Sequence, residues 1–134
     1  MSLLNRCQNL VEEPSPLYQK LEVWQKAHQM IYEVYTATAE FPREEVFGVV
    51  SQLRRAAVSV NLNIVEGNAR GSIKDYIRFL INGRASAQEA HYLILLSRDL
   101  GYLPPEKATQ LTLRIEQIIR MTTGLITALQ KKIP

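Results

Sequence analysis

At 134 residues, with 46% hydrophobic and 22% charged side chains, the chain has the size and balance of one ordinary globular domain that can bury its own core. A formal charge of +3 permits a polyanionic partner without demanding one. No apolar run reaches the ~18–20 residues of a membrane span, the start MSLLNRCQNLVEE lacks the layout of a secretory signal, and the single Cys7 excludes a disulfide or cysteine-rich zinc site within this chain. The expectation is a cytoplasmic protein without membrane contact.

Pro14 and Pro16 set residues 1–16 apart as an arm, with one short helical piece at Leu3–Val11, and residues 17–134 form the domain. From Leu17, the series Leu21, Trp24, His28, Ile31, Tyr35 and Thr38 steps by threes and fours along one helical face. A second stripe, Val23, Ala27, Met30, Val34, Ala37 and Phe41, runs beside it. Two stripes exceed the arc of a simple surface helix, so this helix is expected to touch neighbours on two sides.

Pro42 ends the first helix, and Val46, Val50, Leu53, Ala57, Val60 and Ile64 mark a second, closed near Gly67 and Gly71. Ser72 followed by Asp75 opens a third as a weak capping box and carries it to about Leu100, before Gly101. Its middle is rich in small residues, at Gly83, Ala85, Ser86, Ala87 and Ala90, which invite close helix contact. Pro104 and Pro105 suit the first turn of a fourth helix with the stripe Ala108, Leu111, Ile115, Ile118, Thr122, Leu125 and Leu129. Short connections between long helices predict an all-α, up-down-up-down antiparallel four-helix bundle.

Catalytic and metal chemistry needs converging groups. His28 and His91 are the only histidines, and neither has a second histidine or a carboxylate at i, i+4 spacing. The glycines are scattered singly, so no phosphate loop, dinucleotide fingerprint or nucleophile elbow occurs. No enzyme, metal or cofactor is expected.

What remains is polarity. Gln52, Arg55, Ser59, Asn63 and Glu66 share a stripe on the second helix, and Ser86 and Glu89 lie on the third. Half-buried polar groups need partners, which predicts a structural network of Arg55, Ser59, Asn63, Glu66, Ser86 and Glu89 fixing helix register or an intersubunit contact. The candidate phosphate contacts are Arg54, Arg70, Lys74, Arg78, Lys131 and Lys132. Arg70, Lys74 and Arg78 recur by fours around the start of the third helix.

Several of these segments together resemble a known family, the four-helix-bundle proteins encoded by intervening sequences within bacterial 23S rRNA genes. The resembling segments are Leu21-Glu-Val-Trp24-Gln-Lys-Ala27, Phe41-Pro42 with Glu45 and Phe47-Gly48, Gln52-Leu-Arg-Arg-Ala56-Ala-Val-Ser59, Asn63-Ile-Val-Glu66-Gly67, Arg70, Phe79-Leu80, Ser86 with Glu89, and Leu100-Gly101-Tyr102-Leu103. Two departures stand out. Asn61-Leu62 replaces a small or proline-containing pair, with an expected effect on helix shape, and Ala85 replaces a glycine, with an expected slight widening of the helix contact.

The resemblance implies a homopentameric ring without established enzymatic activity. It also implies kinship with accessory proteins of diversity-generating retroelements, whose partners are a reverse transcriptase and its RNA or DNA. Two functions therefore compete: a nucleic-acid-binding or ribonucleoprotein accessory subunit, and a protein-interaction scaffold without direct nucleic-acid contact.

Overall fold

The computed structural model describes residues 17–134, so the arm, its helical piece and Cys7 lie outside the described residues. A 3-10 turn at Leu17–Lys20 leads into four helices: α1 (Glu22–Thr38), α2 (Val49–Ala69), α3 (Ile73–Asp99) and α4 (Pro105–Gln130). A second 3-10 turn, Arg43–Glu45, joins α1 to α2. The contacts fix the directions. Along α2, Arg54 reaches Tyr35 and Asn61 reaches Trp24, so residue numbers rise on one helix as they fall on the other. Ser59 with Ser86, Arg84 with Thr123, and Glu33 with Arg114 repeat this antiparallel relation around the ring of helices. Each helix packs on its sequence neighbours and α1 also on α4, while the diagonal pairs stay apart.

The apolar stripes explain the packing. On α1, Val23, Ala27, Met30 and Val34 are buried. The neighbouring stripe is graded: Trp24 is buried, His28 and Ile31 are half-buried, and Tyr35 is 41% exposed. Two boundaries differ from expectation. The α1 helix starts one turn later than Leu17, which is 72% exposed, and α2 starts at Val49 rather than Val46. The later start of α2 has a local cause. Glu45 Oε2 accepts a hydrogen bond from the Val49 amide at 3.2 Å and so caps a helix whose first amides have no earlier carbonyls. Gly48 leaves room for that carboxylate, because a Cβ there would stand 2.7 Å from Glu45 Oε2.

The α3 start is as expected, with Ser72 Oγ accepting from the Asp75 amide at 3.3 Å. Pro105 occupies the first turn of α4, where its missing N–H costs nothing. Gly71 and Gly101, after α2 and α3, take φ of 75° and 82°, the left-handed region that lets the chain turn back.

The departures expected at Asn61-Leu62 and Ala85 have milder effects. The α2 helix runs unbroken through Asn61, whose buried amide donates to the Trp24 carbonyl at 3.1 Å. Ala85 is exposed and widens nothing. The close approach of α3 to α2 occurs instead at Gly83 and Gly67. A Cβ on Gly83 would meet the Val60 carbonyl oxygen at 3.2 Å, and one on Gly67 would meet Phe79 Cβ at 2.9 Å and the Tyr76 carbonyl oxygen at 3.3 Å.

Two outcomes follow. Gly67→Ala should destabilise the bundle by about 1–2 kcal/mol in urea unfolding, since overpacking costs ~1–3 kcal/mol and the better helix propensity of alanine offsets under 1. His28 stacks on Trp24, with ring centroids 4.9 Å apart, and burial lowers its pKa below the usual 6.5. The unfolded chain therefore binds the proton more readily, and stability present above about pH 6.5 should fall as the pH drops below it. Urea unfolding at pH 7.5 and 5.5 should show a smaller difference for His28→Phe.

Candidate nucleic-acid interface

The up-down topology sorts charge. The α2–α3 turn, the start of α1 and the end of α4 share one end of the bundle. That end gathers six basic residues, Lys20, Arg70, Lys74, Arg78, Lys131 and Lys132, against Glu22, Glu66 and Asp75. The opposite end, formed by the α1–α2 and α3–α4 connections, holds Glu40, Glu44, Glu45, Asp99 and Glu106 against Arg43, Arg98 and Lys107. One end is net positive and the other net negative.

Five of the six residues expected to contact phosphate thus converge: Arg70, Lys74, Arg78, Lys131 and Lys132, all exposed. Phe79, half-buried beside Gly67, organises two of them. The Arg78 guanidinium lies 4.5 Å from its ring centroid and that of Arg70 5.1 Å, so cation–π attraction holds both near one aromatic side chain. Arg70 also pairs with Glu66 at 2.8 Å, and Arg78 more loosely with Asp75 at 3.5 Å. Such exposed pairs contribute ~0–1 kcal/mol and yield readily to a competing anion. Lys74, Lys131 and Lys132 form no ion pair among the described residues.

Arg54 is placed elsewhere. Its Nε donates to Thr38 Oγ1 at 2.8 Å and its Nη2 to the Tyr35 carbonyl at 3.2 Å, with the guanidinium 4.4 Å from the centre of the Tyr35 ring. It therefore satisfies the carbonyl end of α1, where a cation also complements the helix dipole. The sequence held no sign of this, because Thr38 and Tyr35 lie 16 and 19 residues away from Arg54.

The expected polar network is smaller than its six members. Ser59 and Ser86 hydroxyls meet at 2.8 Å across α2 and α3, and Asn63 Nδ2 donates to both the carbonyl and the hydroxyl of Ser59, at 2.8 and 3.1 Å. Glu66 is drawn to Arg70 one turn on, away from the serines. Arg55 and Glu89 line the groove over this serine pair but are exposed and make no ion pair with each other. The pairing of His91 with Glu116, Nε2 to Oε2 at 2.9 Å across α3 and α4, has no sign in the sequence, because the partners are 25 residues apart. Among the described residues, no group of three or more His, Cys, Asp or Glu is placed to hold a metal ion, and no helix is long and apolar enough to cross a membrane.

Four sequentially packed antiparallel helices with a basic end define the class as a small all-α bundle. The comparisons with known proteins are more specific. Residues 19–124 match the family described as 23S rRNA-intervening sequence protein, and the chain belongs to that family. Among solved structures, a protein of unknown function from the S23 ribosomal protein family of Bacteroides thetaiotaomicron VPI-5482 superposes with a TM-score of 0.70 at 20% identity. The match covers 78% of this chain and 97% of that one and shows a shared fold. No curated protein matches the sequence.

Replacing Arg54 by Met should lower stability by about 1–2 kcal/mol, the cost of losing hydrogen bonds from a partly exposed charged donor. Urea unfolding checks the value, and Thr38→Val in the same background should add less than it does in the parent, because the two share one contact.

Proposed function

We propose that the protein is a non-enzymatic, homo-oligomeric bundle that binds nucleic acid, or a ribonucleoprotein, through the end holding the α2–α3 turn. The observation that carries this reading is the gathering of Arg70, Lys74, Arg78, Lys131 and Lys132 at one end, with the acidic residues concentrated at the other. Exposed guanidinium and ammonium groups on a rigid helical frame suit phosphates, and nothing among them reads base edges, so sequence-tolerant binding is expected. The family resemblance adds a pentameric ring and either an rRNA intervening-sequence setting or the role of an accessory to a retroelement reverse transcriptase. Repeating the basic end in several copies would raise avidity for a long polyanion.

The second reading is a protein-interaction scaffold. Its support is Phe47, which is 96% exposed beside the 48% exposed Val46, an apolar projection of a kind that usually meets protein.

A salt series separates the two. RNA and DNA oligonucleotides should bind the purified protein with log affinity falling steeply against log salt, and Lys74→Glu or Lys131→Glu should each flatten that slope by about 1. Arg54→Met should leave the slope unchanged. Absence of binding at low salt would favour the scaffold, and a solution mass of five times the 15.3 kDa chain is the expected assembly.

A further inference from the structure

Two opposite charges on the outer groove between α2 and α3 stand without partners. The groove has a volume of about 560 Å³ and is floored by Ala56, Ser59 and Ser86. Arg55 and Glu89 are the charged residues that line it, and both are exposed. Arg55 donates one long hydrogen bond, 3.5 Å to Ser51 Oγ, and neither residue forms an ion pair among the described residues. Beside them Tyr92 is 62% exposed.

The register of α2 and α3 sets these groups at matching heights. Ser59 meets Ser86 and the helices run antiparallel, so four residues back along α2 and three forward along α3 lead the same way. At ~1.5 Å per residue, Arg55 and Glu89 stand within about 2 Å of one height, and Gln52 and Tyr92 do the same one turn further. A rotation about an axis parallel to the helices leaves heights unchanged. A second copy related by such an axis, on the side of the groove, therefore brings its Glu89 to the height of Arg55 and its Tyr92 to that of Gln52. Its α3 approaches α2 antiparallel, the direction in which the two helices already pack within the chain. Alanine and serine on the floor leave room for it. Each copy gives its Arg55 to one neighbour and its Glu89 to another, so the contact closes on itself around the axis.

We propose that the α2–α3 face is the contact between copies of this chain, with Arg55 of each copy paired to Glu89 of the next and Tyr92 packed against Gln52. This rests on the homo-oligomeric reading above and supplies its interface. Charge complementarity selects a second copy as the occupant, because the groove presents one charge of each sign at one height and another copy presents the same two reversed. Parallel axes also bring the α2–α3 turns of all copies to one side, so Arg70, Lys74, Arg78, Lys131 and Lys132 recur there once per copy. Repulsion among them falls when a polyanion binds, which favours a ligand long enough to bridge copies.

Charge reversal tests the contact in the full-length protein. Sedimentation at one protein concentration should give the parent a multiple of the 15.3 kDa chain mass, and Arg55→Glu or Glu89→Arg should each return the mass to that of one chain. The double variant should recover the parent's mass. The two single variants mixed one to one should also associate, because each supplies the charge that the other has lost. Recovery in the double variant without association in the mixture would place the pair within one chain and overturn the proposal. Single variants that keep the parent's mass would overturn it while leaving the homo-oligomeric reading intact, and a parent of 15.3 kDa would remove both.

Discussion

The closeness of α2 and α3 sets the geometry of everything nearby. At Gly67 and Gly83 a single extra carbon would collide with Phe79 Cβ or crowd a main-chain oxygen, so the two helices approach closely at these two points. That approach brings the Ser59 and Ser86 hydroxyls within 2.8 Å, so that one donates to the other on the half-buried floor of a surface groove. It also presses Phe79 against the end of α2, where the Arg70 and Arg78 guanidinium groups lie 5.1 and 4.5 Å from the centre of its ring. A tight apolar contact thus orders a charged surface. Small residues at the seam are the reason.

The alternation of helix direction does a second kind of sorting. In an antiparallel bundle the helix dipoles largely cancel, because each end shows two N-termini and two C-termini. Any difference between the ends must then come from side chains. Here it does, with lysines and arginines near the α2–α3 turn and the C-terminus, and glutamates in the α1–α2 and α3–α4 connections. Residues 70 and 131 belong to one surface for topological reasons alone.

The fold was legible in the sequence because its signals are local. Four-three spacing marked apolar faces on the first, second and fourth helices, the third was placed by its cap and its small residues, and the Ser72 cap, the prolines at 104 and 105, and the glycines at 71 and 101 marked the helix limits. The start of α2 was harder to read, since Val46 continues the periodicity while Glu45, four residues before Val49, supplies the cap. The basic end was half legible: Arg70, Lys74 and Arg78 share a local rhythm, but only the topology adds Lys131 and Lys132. Arg54 and Arg55, adjacent in the chain, point to different surroundings, and helical spacing alone could not identify Thr38 and Tyr35 as partners of the first. Of the polar stripe on α2, Ser59 and Asn63 are hydrogen-bonded to each other and Ser59 to Ser86 on α3, whereas Glu66 is held by Arg70 one turn on.

The opposed charges at the two ends of the bundle, whose α3 at 27 residues is ~40 Å long, make the molecule an electric lever. A polyanion nearby would exert a torque on it before any contact forms, turning the lysine-bearing end inward and the glutamate-bearing end outward. Screening confines this alignment to separations of about 10 Å at 0.1 M salt. Within that shell the fraction of collisions that arrive correctly oriented would exceed what random tumbling supplies, so ionic strength would govern the speed of encounter as well as its strength.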